Sequence, residues 1–413
     1  MNAFSAILKN GPEFESISLD LKNRRYPFGI LGMPPATKNL MIHTLCSQTG
    51  RGAIVVWADE AQAVKCRDDL LTLGANAVFY PTRDFDFYGA QASSHEYEQM
   101  RIKALWAVLN DPSTVLVCGA EALRQRTMPP QTLKNRCFTL KSGAQITTDD
   151  VRRRLVAAGY SAADMVEGHG QFALRGGILD IYPPNEQNPI RMEFWGDEID
   201  TISYFDPISQ RRTEPAESIS LTPCSEVMLD SAETMITALN ELKNGLRGKS
   251  ASAAKANIEK TVAQAEAGIQ PGDIDKYLPL AYPEPATVFD YLPDAFLLVC
   301  ESGAVREKLI NADKQMNEEI KALFTEGVLC RGLDNYAIDF SKVLRYYETR
   351  DTVYIDNFTR GSFDTPVKDL VNYSINQTSR WDGSFTVLKE DISPAIRGKY
   401  AIAVFAGTEK GAE

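Results

Sequence analysis

The sequence predicts an α/β protein, and three observations lead to that class. Between residues 27 and 123, short apolar runs rich in branched residues alternate with amphipathic stretches, as strands and helices do around a parallel sheet. Between residues 167 and 207, strand-like runs are separated by tight turns. The 413 residues suggest two or three domains. We therefore predict a parallel sheet flanked by helices, an inserted small α+β domain, and a truncated third α/β domain.

The first half of the large domain is assigned to residues 1–134. Its strands are placed at 29–31, 53–58, 77–80 and 114–118, with helices at 39–48, 60–73 and 96–109. Strands that are joined by helices run parallel, with the helices packed on both faces of the sheet. The layout is therefore RecA-like or Rossmann-like, and a second half of the same domain is predicted at residues 224–330.

The loop after the first strand is where such a fold would bind phosphate, and it departs from the P-loop pattern G-x-x-x-x-G-K-[ST]. Gly32 and Lys38 are in register, but Thr37 replaces the second glycine and Asn39 replaces the magnesium-binding hydroxyl. Two intervening prolines have no N–H to donate. We predict a degenerate nucleotide site made of Gly32, Thr37, Lys38 and Asn39, with weak nucleotide binding through Lys38 as the alternative.

Residues 135–223 are assigned to the small inserted domain. A helix is predicted from an N-cap at Thr148 to Ala158, followed by a β-meander with strands at 172–182, 190–195 and 199–205. In the middle strand, Arg191, Glu193 and Trp195 share one face, because side chains alternate along a strand. Arginine and tryptophan are typical of binding hot spots. Equally, Trp195 could cover a second small core, with Arg191 and Glu193 as a solvated pair.

The meander resembles the signature of the UvrB-homology module. The matching residues are Arg175-Gly176, the run from Ile178 to Pro183, and the run from Arg191 to Asp200. This module occurs in the excinuclease subunit UvrB and in transcription-repair coupling factors, where it binds UvrA. The resemblance implies that Arg175, Arg191 and Trp195 bind UvrA, together with Glu193 on the same face. The family commonly has phenylalanine at the position of Trp195, so the tryptophan is a mild departure.

The degenerate P-loop decides between the two kinds of relative. UvrB keeps a working P-loop and an aromatic hairpin that enters DNA, whereas residues 89–96 here leave no room for such a hairpin. The resemblance is therefore to the coupling factors, whose contacts with RNA polymerase and DNA, and whose ATP-driven motor, would lie outside this chain. The alternative function is a UvrB-like DNA-dependent ATPase. If this chain is the UvrA-binding part of a coupling factor, Arg191→Ala would weaken UvrA binding and leave the fold intact.

Composition is consistent with a protein partner. The net charge of −11 argues against binding dominated by DNA phosphates, although the run Arg152–Arg154 offers a small basic patch. The three histidines and seven cysteines lie outside the usual metal-binding spacings. We expect no catalytic residues, metal or cofactor in this chain. The absence of an apolar run near 18 residues and of a signal peptide indicates a cytoplasmic location.

The last part of the chain, residues 331–413, is predicted to be a linker followed by part of a third α/β domain. A helix is placed at 339–347 and strands at 353–355 and 400–407. Because the final strand is followed at once by the chain end, the third domain is expected to be incomplete, as in a fragment of a longer protein.

Overall fold

The structure is a computed structural model that describes residues 3–89, 95–229, 231–248, 251–267, 269, 271–358, 362–375, 383–400 and 402. The first part of the chain alternates helices and strands. In order these are α1 (Ala3–Lys9), α2 (Pro12–Asn23), β1 (Phe28–Leu31), α3 (Pro35–Thr49), β2 (Ala53–Trp57), α4 (Glu60–Thr72), β3 (Ala77–Tyr80), α5 (Glu96–Asn110), β4 (Val115–Gly119), α6 (Ala120–Arg124) and α7 (Pro130–Arg136).

A separate β-rich domain follows. Its elements are β5 (Phe138–Lys141), α8 (Thr148–Ala157), β6 (Ser161–Ala162), β7 (Gln171–Arg175), β8 (Ile178–Ile181), β9 (Ile190–Trp195), β10 (Glu198–Phe205), β11 (Arg212–Ala216) and β12 (Ser218–Leu221). Strands β6 to β11 form one sheet in sequence order, while β5 and β12 pair separately. The N-cap of α8 is Thr147, whose side chain accepts from the Asp150 N–H, one residue before the predicted cap.

The chain then returns to the large domain. The elements are α9 (Ala232–Gly245), α10 (Ala251–Glu266), a 3₁₀ turn (Ile274–Tyr277), α11 (Leu278–Ala281), α12 (Val288–Tyr291), β13 (Phe296–Cys300), α13 (Ser302–Glu326), α14 (Phe340–Thr349), β14 (Thr352–Ile355), β15 (Leu370–Asn372) and α15 (Phe385–Arg397).

The large domain is built on one seven-stranded sheet in the order β15-β1-β14-β13-β2-β4-β3, with parallel pairing throughout. Helices cover both faces, so the central strands β2, β4 and β13 are buried along their whole length. One apolar core lies on each face of this sheet, and a third core fills the inserted domain. The predicted α/β class with a β-rich insertion is confirmed.

The prediction for residues 331–413 needs a correction. Strand β14 was assigned to a third domain, but it lies near the middle of the large sheet, between β1 and β13. Burial explains the difference, because all four of its residues are enclosed and pair with two neighbours. Strand β15 extends the same sheet beyond β1. The strand predicted at 400–407 and the connections at 89–96 and 372–383 lie largely outside the described residues.

A buried cluster of charges joins the inserted domain to the large domain. Arg83 lies 3.1 Å from Glu98 and 3.0 Å from Glu226, and Arg101 lies 2.8 Å from Glu226. Glu226 directly follows the inserted domain, and its N–H donates to Glu98 at 2.6 Å. Arg83 also pairs with Asp275. Because these groups are almost wholly enclosed, the cluster fixes where the inserted domain leaves the large one.

Candidate partner-binding face

The six-stranded sheet of the inserted domain has an enclosed inner face and a more open outer face. The inner face packs on α8, where Leu179, Met192 and Ile202 meet Val151 and Leu155. The alternation of side chains sends Arg191, Glu193 and Trp195 to the outer face. The predicted site therefore lies on the outer face. The core residues of α8, the helix of the inserted domain, pack on the opposite face.

Asp180 is the anchor of the outer face. It is only 1% exposed, and it lies opposite Arg191 in the pairing of β8 with β9. The Arg191 Nε donates to one carboxylate oxygen at 2.7 Å, and its Nη2 donates to the other at 2.8 Å. These hydrogen bonds, stronger than the opposing burial, raise the pKa of Arg191. The pair is a bidentate, charge-assisted ion pair, a geometry for which the planar guanidinium of arginine is well suited.

Arg191 is enclosed further by the turn between β10 and β11. Its guanidinium carbon lies 4.6 Å from the centre of the Phe205 ring. Its Nη1 and Nη2 also donate to the backbone and side-chain oxygens of Gln210, each at 3.2 Å. Only 16% of the side chain remains exposed. Arg191 therefore holds the outer face together, which differs from the exposed binding residue predicted from the sequence.

Arg175, in contrast, remains accessible. Its side chain is 54% exposed, and its Nη2 donates to the second oxygen of Asp180 at 3.0 Å. The two arginines therefore share one carboxylate. Within this three-residue cluster one positive charge is left uncompensated, and it faces solvent at Arg175.

Trp195 is 84% exposed at the end of β9. The β7–β8 turn at Gly176 and the β9–β10 turn at Gly196 lie at the same end of the sheet, and both glycines have positive φ. From strand spacings, the Cα atoms of Arg175 and Trp195 are roughly 12 Å apart. A small second core does exist on this face, around Val166, Ala173 and Phe205, but Trp195 is not part of it.

Glu193 lies between the two arginine positions and Trp195. It pairs with Arg212 on β11 and accepts from the Thr201 hydroxyl at 3.2 Å. Its neighbour across β8 is Ile178, an apolar residue that is 37% exposed. Glu193 therefore orders the rim of the face, and the exposed surface consists of Arg175, Ile178, Trp195 and Arg212.

Of the four residues predicted to form a degenerate nucleotide site, Lys38 and Asn39 have side chains that contact other residues of the chain. Lys38 is fully buried, pairs with Glu301, and lies 5.6 Å from the Trp57 ring. The Asn39 side chain donates to Asp69 at 2.7 Å. Thr37 lies inside α3 and is partly buried.

The phosphate-facing end of this loop is also covered. A Cβ added to Gly32, whose φ is +77°, would lie 1.9 Å from the Tyr373 carbonyl oxygen. The Met33 N–H donates to the Asp356 carbonyl at 3.2 Å, and prolines 34 and 35 have no N–H. In this loop the Met33 N–H is therefore already paired, and the two prolines offer no donor to a phosphate.

The remaining sequence candidates have structural roles. Arg152 lies 3.4 Å from Asp149, Arg153 pairs with Asp150, and Arg154 packs near the Phe138 ring.

Among the described residues, no three His, Cys, Asp or Glu side chains come together to hold a metal ion. The described helices include none that is long and apolar enough to cross a membrane.

The sequence of this chain resembles known proteins at two levels, the inserted domain and the whole chain. Residues 138–226 match the family model of the UvrB interaction domain. The transcription-repair-coupling factor of Bacillus subtilis is 26% identical over 99% of this chain and 35% of its own length. Those of Haemophilus influenzae and Escherichia coli are 31% and 32% identical over 64% and 60% of this chain, and over 23% and 21% of their own lengths.

The sheet that carries the outer face therefore lies within the segment that matches the UvrB interaction domain. Almost the whole chain is similar in sequence to the transcription-repair-coupling factor of Bacillus subtilis, and it spans about a third of the length of that protein.

Sequence reasoning missed three residues that shape this face: Asp180, Phe205 and Gln210. An acidic residue in an otherwise apolar strand, Ile178 to Ile181, was the available signal for Asp180, because a buried carboxylate requires a partner. Gln210, in the left-handed region at φ +59°, carried no such signal in the sequence.

Proposed function

We propose that this chain recruits UvrA through the outer face of its UvrB interaction domain, as part of a transcription-repair coupling factor. In that role it would connect UvrA to RNA polymerase and DNA, which other parts of the protein would contact. The observation that carries the proposal is the exposure of Trp195, an 84% accessible indole on a hydrogen-bonded strand of the same sheet as the half-exposed Arg175.

The chemistry of the face supports this role. An indole gives a large contact area with little side-chain entropy to lose, and exposed arginine supplies directed charge. Trp195, Ile178 and Arg175 lie on neighbouring strands of a single sheet, so they can contact one partner surface. Rigid placement lowers the ordering cost of binding. Arg191 is largely enclosed, so it would contribute to binding indirectly. It would do so through the carboxylate that it shares with Arg175 and through its contacts with Gln210 in the β10–β11 turn.

We also infer that the P-loop is degenerate and that this chain does not hydrolyse ATP. The burial of Lys38 against Glu301 supports this, because a nucleotide phosphate would have to displace that pair. A fluorescent ATP analogue titrated into the chain should give no saturable signal. Micromolar binding that is lost in Lys38→Ala would favour the UvrB-like ATPase instead.

The proposed domain limits are 1–134 and 224–330 for the large domain and 135–223 for the insertion, with residues 331–375 added to the large domain by strands β14 and β15.

Isothermal titration calorimetry with purified UvrA tests the proposal. Trp195→Ala should weaken binding by about tenfold to a hundredfold, the range of an aromatic hot spot. Phe385→Ala is the matched control, because Phe385 is also an exposed aromatic residue, at 79%, but lies on α15. Equal affinities of wild type and Trp195→Ala would contradict the assignment of this face.

A further inference from the structure

We infer that Asp180 is a positioning residue of the binding face, and that it sets Arg175 to grip a carboxylate of the partner. This inference rests on the proposed function, since the partner is taken to be UvrA. Asp180 itself is only 1% exposed, so a partner could not reach it directly. It would act through the arginine that shares its second oxygen.

Two arginines donate to the single carboxylate of Asp180. Arg191 binds both carboxylate oxygens, at 2.7 and 2.8 Å, so that pair alone is already complete. Arg175 nevertheless donates to the same carboxylate at 3.0 Å, although its side chain is 54% exposed and free to extend into solvent. Asp180 thus orients Arg175, although Arg191 already balances the charge of the Asp180 carboxylate.

The two arginines therefore have different tasks. Arg191 is fixed on several sides, by Asp180, by the Phe205 ring and by both oxygens of Gln210. Arg175 donates from one Nη2 to Asp180, and this is the one hydrogen bond that the described residues give its side chain. A guanidinium carries five N–H donors in one plane, so most donors of Arg175 remain available.

This arrangement selects the chemistry of the partner group. The free edge of a planar guanidinium matches the two oxygens of a carboxylate. Because the Arg191–Asp180 pair is internally neutral, the charge of Arg175 is open to an external anion. The exposed Ile178 lies on the adjacent strand β8, and the exposed Trp195 lies one strand further, on β9. The contact on the partner should therefore be an Asp or Glu side chain flanked by an apolar residue.

A double-mutant cycle on UvrA binding tests the inference. In the otherwise wild-type chain, Asp180→Asn should weaken binding about tenfold; in the Arg175→Ala background the same change should cost less than about twofold. The slope of affinity against salt should fall to the same extent in Asp180→Asn and in Arg175→Ala. Equal losses in both backgrounds, or no loss, would overturn the inference and leave the proposed function intact.

A second variant covers the case in which Asp180→Asn fails to fold. Asp180→Leu combined with Arg191→Met replaces the buried ion pair by apolar groups of similar size, a change that proteins often tolerate. It keeps Arg175 but removes its anchor, so binding should again weaken about tenfold. Full affinity in this variant would overturn the inference. If the wild-type chain itself does not bind UvrA, both the inference and the proposed function fail.

Discussion

Arg191 and Asp180 form a bidentate ion pair across neighbouring strands. Both N–O distances are below 2.9 Å, and Asp180 is 1% exposed. The pair lies on the outer face of the sheet, away from the apolar core on the inner face. An internal pair at this place changes how the face can be probed, because a variant of Arg191 affects the sheet as well as any partner.

Arg191→Ala should destabilise the inserted domain. Removing one partner of a buried pair costs about 3–5 kcal/mol, and the remaining contact of Asp180 with Arg175 should reduce this to roughly 2–3 kcal/mol. Chemical denaturation followed by circular dichroism measures the loss. Arg153→Ala, an exposed arginine of the same domain, is the control and should change stability by less than about 0.5 kcal/mol. A wild-type unfolding curve for Arg191→Ala would restore the earlier expectation that this variant leaves the fold intact.

Lys38→Met should be tolerated. Lys38 is fully buried beside Trp57, and its partner Glu301 is partly exposed, so the glutamate can be hydrated when the lysine is lost. We expect a change of less than about 1.5 kcal/mol in the free energy of unfolding and unchanged affinity for UvrA. Denaturation and calorimetry measure the two quantities. A loss of UvrA binding without unfolding would mean that this site is linked to the binding face.

The charge cluster at the domain junction should make stability fall in acid. Burial opposes ionisation of Glu98, but Arg83 and hydrogen bonds to His95 and Glu226 outweigh it and lower its pKa to about 2. Ionised Glu98 therefore stabilises the fold at pH values above 4.5, its pKa in the unfolded chain. This contribution is lost as the pH falls towards 2. The loss should reach at most about 3 kcal/mol.

Glu98→Gln provides the control for that titration. The amide keeps the size of the side chain but does not titrate, so the variant should be less stable than wild type at pH 7 and should approach it near pH 2. Thermal unfolding at a series of pH values measures both curves. Parallel curves for the two proteins would contradict the assignment of the acid sensitivity to Glu98.

Asp20→Asn should stabilise the chain at neutral pH. Burial, followed by the nearby charge of Asp369, raises the pKa of Asp20 to about 6. A raised carboxyl pKa favours the fold below the unfolded value of 3.8, and this advantage disappears as the pH rises through 6. The neutral amide avoids that loss, so its melting temperature should exceed that of wild type at pH 8. A lower melting temperature at pH 8 would contradict this account.

The sequence predicted the architecture well where periodicity was strong. The buried run at Ala53–Trp57 and the meander strands at Ile190–Trp195 and Glu198–Phe205 lie close to their predicted positions, because alternation and turn residues define them locally. Strand β14 was predicted in a third domain and instead joins the large sheet, because a run as short as residues 353–355 does not specify which sheet it joins. Trp195 was predicted on the outer face, and that placement is confirmed.

The enclosure of Arg191 could not be predicted in the same way. It depends on the β10–β11 connection, which brings Gln210 to the guanidinium, and on Phe205 at the end of β10. Contacts of this kind depend on the path of a connection in three dimensions, whereas strand alternation gives only the face on which a side chain lies.

Site-specific photo-crosslinking tests the central claim most directly. A photoreactive phenylalanine analogue is introduced at Trp195 in one protein and at Arg153, on the far side of the inserted domain, in another. Each is mixed with purified UvrA and irradiated. We predict a covalent complex with UvrA from position 195 and little or none from position 153. Crosslinking from 153 but not from 195, with UvrA bound in both cases, would contradict the account.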